Sequence, residues 1–227
     1  MNEFNDNKNP GPELPEPTIS GLFGHGWETM KKSFPELLLV FFVEVLISLP
    51  VGFSNNVIFP LSSDVMYTSL FNVIYGLFVL APISYGCCWI FLKAVRGEPF
   101  RVTDMFFAFQ QVGQIILANI LVALIVVAGF IMLIVPGIIF ACKLSFVAFL
   151  VMDEKLSAID AIKKSWSMTK GYSGTIFLMG IVSFFVILLG IICLIVGIIP
   201  AILWISLAFA GIYWVVSEKS KKENSSV

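Results

Sequence analysis

The stretch "LIVPGII", residues 133–139, lies inside a run that has no charged residue between Asp104 and Lys143. An α-helix rises 1.5 Å per residue, so about 20 apolar residues cross the roughly 30 Å of bilayer hydrocarbon. The uncharged run is close to twice that length and must hold two crossings. Pro136 lacks a backbone donor and Gly137 relaxes the backbone, which places a hairpin turn at this point. A second uncharged run, between Lys170 and Glu218, carries the same device in "LIVGIIP", residues 194–200, where Gly197 and Pro200 supply the turn.

The same ruler gives six spans, at about 34–52, 69–92, 112–134, 137–152, 173–193 and 198–216. Composition agrees, since 58% of the 227 residues are hydrophobic and 13% are charged, against about a quarter charged in soluble domains. The expected fold class is all-α: a polytopic membrane protein with six transmembrane helices, arranged as three helical hairpins, each preceded by an amphipathic interfacial helix. Residues 1–18, "MNEFNDNKNPGPELPEPT", read as a disordered Pro-rich tail. No basic segment there feeds an apolar one, so no cleaved signal peptide is expected. Residues 19–217 form the membrane domain and 218–227 a charged C-terminal tail.

Charge sets the expected orientation. Lys31 and Lys32 precede the first span; Lys93, Arg96 and Arg101 lie between the second and third. Lys155, Lys163, Lys164 and Lys170 lie between the fourth and fifth, and Lys219, Lys221 and Lys222 follow the sixth. The junction at 53–68 and the two hairpin turns contain no Lys or Arg. Lys and Arg near span ends remain in the cytoplasm, so both termini are expected there, in a bacterial-type cytoplasmic membrane.

The polar islands repeat. "SAIDAIKKSWSMTK", residues 157–170, read as a helix, puts Ile159, Ile162 and Trp166 on one face and Asp160, Lys163, Lys164, Ser167 and Lys170 on another. Ser157 and Asp160 resemble a capping box. Near the N-terminus Phe23, Trp27, Met30 and Phe34 repeat the stripe, with Glu28, Lys31 and Lys32 on the wet side, and "TDMFFAFQQ" at 103–111 is a weaker third copy. Three repeats, about 19–92, 99–152 and 156–217, follow. Helices of this kind lie in the headgroup layer with their cations toward anionic lipid. Lys31, Lys32, Lys163, Lys164, Lys170, Trp27 and Trp166 are therefore the candidate inner-leaflet headgroup contacts. The plainer alternative is that the islands only terminate spans and obey the charge rule.

The run "VPGIIFACKLSFVAFLVMDEKLSAIDAIKKSWSMTKG", 135–171, resembles the pattern shared by the membrane domain of glycerophosphoryl diester phosphodiesterases and related uncharacterised six-span bacterial membrane families. The shared features are the Pro-Gly turn, a span with a basic residue, an acidic exit, and then Ser-Ala, Ala-Ile, Lys-Ser-Trp and Lys-Gly. In those phosphodiesterases the chemistry belongs to a separate soluble barrel. The resemblance implies a fold and a membrane address, without an activity.

Two charges fall inside spans, where an ionised side chain at the centre costs about 2.5–3.5 kcal/mol on insertion scales. Glu44 and Lys143 count to a similar depth, roughly 10 Å below the outer surface at 1.5 Å per residue. One expectation is an ion pair tying the first hairpin to the second. The other is that Lys143 snorkels outward while Glu44 is protonated or faces a polar crevice. Pro82 should bend or unwind the second span, freeing a carbonyl near Ser84 and Tyr85. A third reading makes Glu44 and Lys143 part of a path for protons or a polar substrate, with Gln114, Asn119 and Asn72 as further polar groups, although scattered amides more often knit helices together.

No catalytic or metal site is expected. His25, the only histidine, reads as a wet loop residue between Gly24 and Gly26. "GLFGHG" lacks the context and lysine of a phosphate cradle. Cys87, Cys88, Cys142 and Cys193 sit in apolar runs without disulfide or metal spacing. Asp153 and Glu154 read as a solvated span exit. No enzyme, cofactor or nucleic-acid partner is expected. The expected role is an accessory or scaffolding module organising lipid or partner proteins at the cytoplasmic face, its partners being membrane lipids, anionic ones by preference. The alternative is a carrier of a lipid or small amphipathic molecule through a crevice between the repeats.

Overall fold

The computed structural model describes residues 14–53, 65–192 and 197–225, and among them there is no strand. Six helical stretches are long and apolar enough to cross a membrane: Phe34–Val51, Leu70–Val95, Val102–Met132, Ile134–Asp153, Ser173–Ile192 and Ile198–Lys222. The expected all-α, six-span class is thus the observed one. Residues 1–13 of the proposed N-terminal tail, and Cys193, lie outside the described residues.

The chain enters through α1 (Ile19–Lys32), capped by Thr18, whose Oγ1 accepts from the Gly21 N–H at 3.2 Å. The first span is α2 (Phe34–Phe53). The second is α3 (Val65–Tyr75), a π-helical turn over Gly76–Leu80, and α4 (Ala81–Val95). A 3-10 helix over Val102–Gln111 leads into α5 (Val112–Met132). The fourth span divides into α6 (Ile134–Leu144) and α7 (Val147–Asp153). Then come α8 (Ala158–Met168), α9 (Ser173–Ile192) and α10 (Ile198–Ser225). Because α10 runs helical to Ser225, the expected charged tail at 218–227 is largely the last turns of the sixth span's helix.

The irregularity expected at Pro82 lies upstream of it. Pro82 has no N–H, and its ring crowds the carbonyl four residues back, that of Phe78. The helix relieves this by widening to i→i+5 bonding over Gly76–Leu80, with the Ala81 N–H on the Gly76 carbonyl. The disturbed carbonyls are therefore not those beside Ser84 and Tyr85.

The turn between the third and fourth spans is a single extended residue, Leu133, which ends α5 and starts α6. Pro136 and Gly137 lie within the first turn of α6, where the missing proline donor costs nothing. What Gly137 contributes is close approach: a Cβ there would sit 2.6 Å from the Phe130 ring. Gly190 is similarly crowded, with the Gly197 carbonyl oxygen 2.9 Å from where its Cβ would be. Gly197 directly precedes α10, and Pro200 lies in its first turn; residues 193–196 of that junction are outside the described set.

The core gathers around α4, α7 and α10, where Ile90, Leu92, Leu150, Leu203, Leu207 and Tyr213 are fully buried. Gly86 lets the 3-10 helix sit directly on α4, since a Cβ there would fall 2.1 Å from the Met105 carbonyl oxygen. The break between α6 and α7 leaves the Lys143 carbonyl free of a regular helical donor, and Ser165 Oγ donates to it at 2.7 Å. A broken span is tolerated when a neighbouring helix satisfies the freed backbone in this way.

Candidate functional site

One end of the bundle is charged and tightly tied. Arg96, just past α4, makes a bidentate pair with Asp153 at the end of α7, both bonds 2.7 Å. Tyr213 of α10 donates to the same carboxylate at 2.9 Å. Three spans therefore meet on one carboxylate whose side chain is only 9% exposed, which corrects the solvated exit expected for Asp153. Burial alone would lower the affinity of Arg96 for its proton; the hydrogen bond and charge of Asp153 outweigh it and hold the guanidinium above its usual pKa. Lys93 pairs with Asp104 at 2.8 Å, joining the second span to the 3-10 helix. Glu154 pairs with Lys164 of α8.

His25 belongs to this end and is not a loop residue. It lies in α1, and its Nε2 is 3.1 Å from the Val95 carbonyl oxygen, at the end of α4 where helix carbonyls lack internal donors. α1 as a whole is seated on α10. Trp204 Nε1 donates to the Phe23 carbonyl at 2.7 Å, and Gly26 comes against the backbone of Ala208. Trp27 lies against Trp204 with ring centroids 5.1 Å apart, while Lys31 and Lys32 stay exposed.

α8 forms as expected, with Ser157 Oγ accepting from the Asp160 N–H. The face it packs against the rest of the protein is separate from the Ile159, Ile162 and Trp166 face expected toward lipid. Ala158, Ala161, Ser165 and Met168 point inward, and Ile159 is 52% exposed. Small side chains let α8 approach α5, where the Gln114 side-chain oxygen accepts from the Ala158 N–H at 2.9 Å. Gln114 thus knits helices. On the far side of α8, between it, the start of α9 and α10, lies a groove of about 890 Å³. Lys163, Lys164, Lys170 and Lys219 line it together with Asp160 and Tyr172. Lys219 donates to the Tyr172 hydroxyl at 3.0 Å. The structure thus brings three of the expected headgroup lysines together and adds Lys219, but leaves Lys31 and Lys32 outside this groove.

Glu44 and Lys143 do not form an ion pair. The Lys143 ammonium lies 4.4 Å from the Trp166 ring centroid, and Trp166 rests on Phe140. Glu44 shares a crevice with Cys87 instead. Equal depth was not enough, because the two side chains point in different directions around the bundle. Glu44 borders a crevice of about 330 Å³ between α2, α4, the α6–α7 break and α10. Ser84, Cys87 and Cys88 come from α4, Ser145 from the break, and Ser206 from α10. A crevice therefore borders Glu44, with its serines set among apolar side chains.

Sequence reasoning missed the Arg96–Asp153–Tyr213 junction and Lys219 in the groove. The charge rule held the signal for both: residues at the ends of the second, fourth and sixth spans share one end of the bundle. Among the described residues, no group of three or more His, Cys, Asp or Glu could hold a metal ion. No protein family, curated protein or solved structure matches the chain.

Proposed function

We propose that the protein is a non-enzymatic module of a bacterial-type cytoplasmic membrane that holds anionic lipid headgroups at its charged end and organises lipid or partner proteins there. In this reading both termini are cytoplasmic, and the chain is three repeats of an interfacial amphipathic helix followed by a hairpin. The lysine distribution supports that orientation. The observation that carries the reading is the groove between α8 and α10, where four lysines and a single aspartate surround a headgroup-sized space. Each cation near an anionic leaflet contributes about 1 kcal/mol of attraction, and Trp166 gives α8 an amphipathic anchor at the interface.

The test is lipid retention. The protein is purified from nanodiscs of mixed phosphatidylglycerol and phosphatidylcholine, and its bound lipid is read by native mass spectrometry. Enrichment of phosphatidylglycerol that disappears in a Lys163→Ala, Lys170→Ala, Lys219→Ala triple variant supports the reading. Equal retention of both lipids by the parent protein removes it. The carrier reading draws on one observation of its own, the crevice beside Glu44. Lipid scrambling or solute flux in liposomes that stops in Glu44→Gln would favour it.

A further inference from the structure

The crevice at Glu44 has a chemistry distinct from the basic groove. Its single carboxylate stands near the middle of α2, ten residues from Phe34 and nine from Phe53. None of the ion pairs among the described residues includes it, and no Lys, Arg or His lines the crevice. Lys143, the one basic residue within the fourth span, is turned to Trp166. The remaining walls are mixed: Phe41, Phe91, Phe149 and Phe209 contribute rings, Ile202 and Ile205 hydrocarbon, Cys87 and Cys88 sulfur, and Ser84, Ser145 and Ser206 oxygens that can accept from N–H donors. Ser145 spends its proton on the Cys142 carbonyl, which leaves its oxygen as an acceptor.

We propose that this crevice binds an amphipathic organic cation, a protonated amine with an apolar body, its charge on Glu44 and its body among the phenylalanines. An anion would be repelled by the carboxylate. A hard inorganic cation needs six or more oxygen ligands, more than one carboxylate and three hydroxyls provide. An organic cation suits both halves of the site, because phenyl faces attract positive charge and also bury hydrocarbon. The volume, about 330 Å³, lies at the small end of the range for ligand pockets, roughly 300–1,000 Å³. The inference goes beyond headgroup binding and stands without it, since no residue of the basic groove takes part.

The experiment uses the full chain in nanodiscs of phosphatidylcholine only, so that anionic lipid and the lysine groove do not enter the signal. Three probes share one body and differ in charge: 4-phenylbutylamine, 4-phenylbutanol and 4-phenylbutyrate. Saturable binding of the amine at one site per chain, at least tenfold tighter than the alcohol and with no binding of the butyrate, is expected. Glu44→Gln should lose that tenfold preference, Glu44→Asp should keep part of it, and Ser206→Phe, which fills the crevice from α10, should abolish amine binding with Glu44 intact. If Glu44→Gln does not fold, the Ser206→Phe variant and the three-probe comparison decide the matter. Equal binding of amine and alcohol, an unchanged preference in Glu44→Gln, or no saturable binding to the parent protein overturns the inference.

Discussion

α2 and α10 are nearly indistinguishable by hydropathy and differ in almost everything else. The first span's best window has a mean hydropathy of 2.1 and is 11% buried; the sixth has 2.0 and is 56% buried. In water, apolar character would drive both inward. In a bilayer the surrounding chains are as apolar as leucine, so burial follows from side-chain size and from polar contacts between helices. α10 supplies both: Ala201, Ala208 and Ala210 are buried where neighbours come close, and Tyr213 carries a hydroxyl to Asp153. α2 offers Leu37 and Val40 to the interior and turns Phe42 and Leu46 outward.

The contrast can be broken or sharpened by substitution, with stability read from tryptophan fluorescence during thermal unfolding in mild detergent. The largest effect is expected at the junction that α10 shares with the second and fourth spans. Arg96→Ala strands a buried carboxylate and should cost about 3–5 kcal/mol, whereas joint replacement, Arg96→Met with Asp153→Leu, should be much milder. If the double variant is as unstable as the single one, the junction holds the spans by something other than its charges. Next comes Ala208→Leu, which forces bulk into a fully buried position of α10 and should cost about 1–3 kcal/mol through overpacking. The smallest effect belongs to α2, where Leu46→Ala, at a position 65% exposed, should change stability by under about 0.5 kcal/mol. A Leu46→Ala penalty matching that of Ala208→Leu would erase the distinction between the two helices.

The six spans were legible because length and hydropathy are local properties that can be counted along the chain. So was the start of α8, since the Ser157 and Asp160 pattern acts within one turn. Rotation of a helix about its own axis was not legible. Counting residues gives the height of Glu44 and of Lys143 in the membrane, but not the direction in which each faces, and that direction separated them. For the same reason the face of α8 that packs on the protein, Ala158, Ala161 and Ser165, was not legible beside its more apolar Ile159 and Trp166 stripe. Small residues allow the closer approach to α5, and a hydropathy pattern undervalues them. The seat of α1 depends on Gly26 and Ala208, far apart in sequence and unremarkable in composition. Tyr213 gave no sign of its role, because the Asp153 carboxylate it shares with Arg96 is 60 residues away in sequence.

The seating of α1 on α10 has a consequence for the order of events on the ribosome. α1 precedes all six spans and has its principal partner in the sixth, so it must wait through the insertion of the first five. Until α10 arrives, Phe23 and Trp27 lack Trp204, the ring on which both pack. Nascent chains arrested before about residue 204 should therefore leave α1 open to protease, and chains arrested beyond the point at which α10 clears the translocon should not.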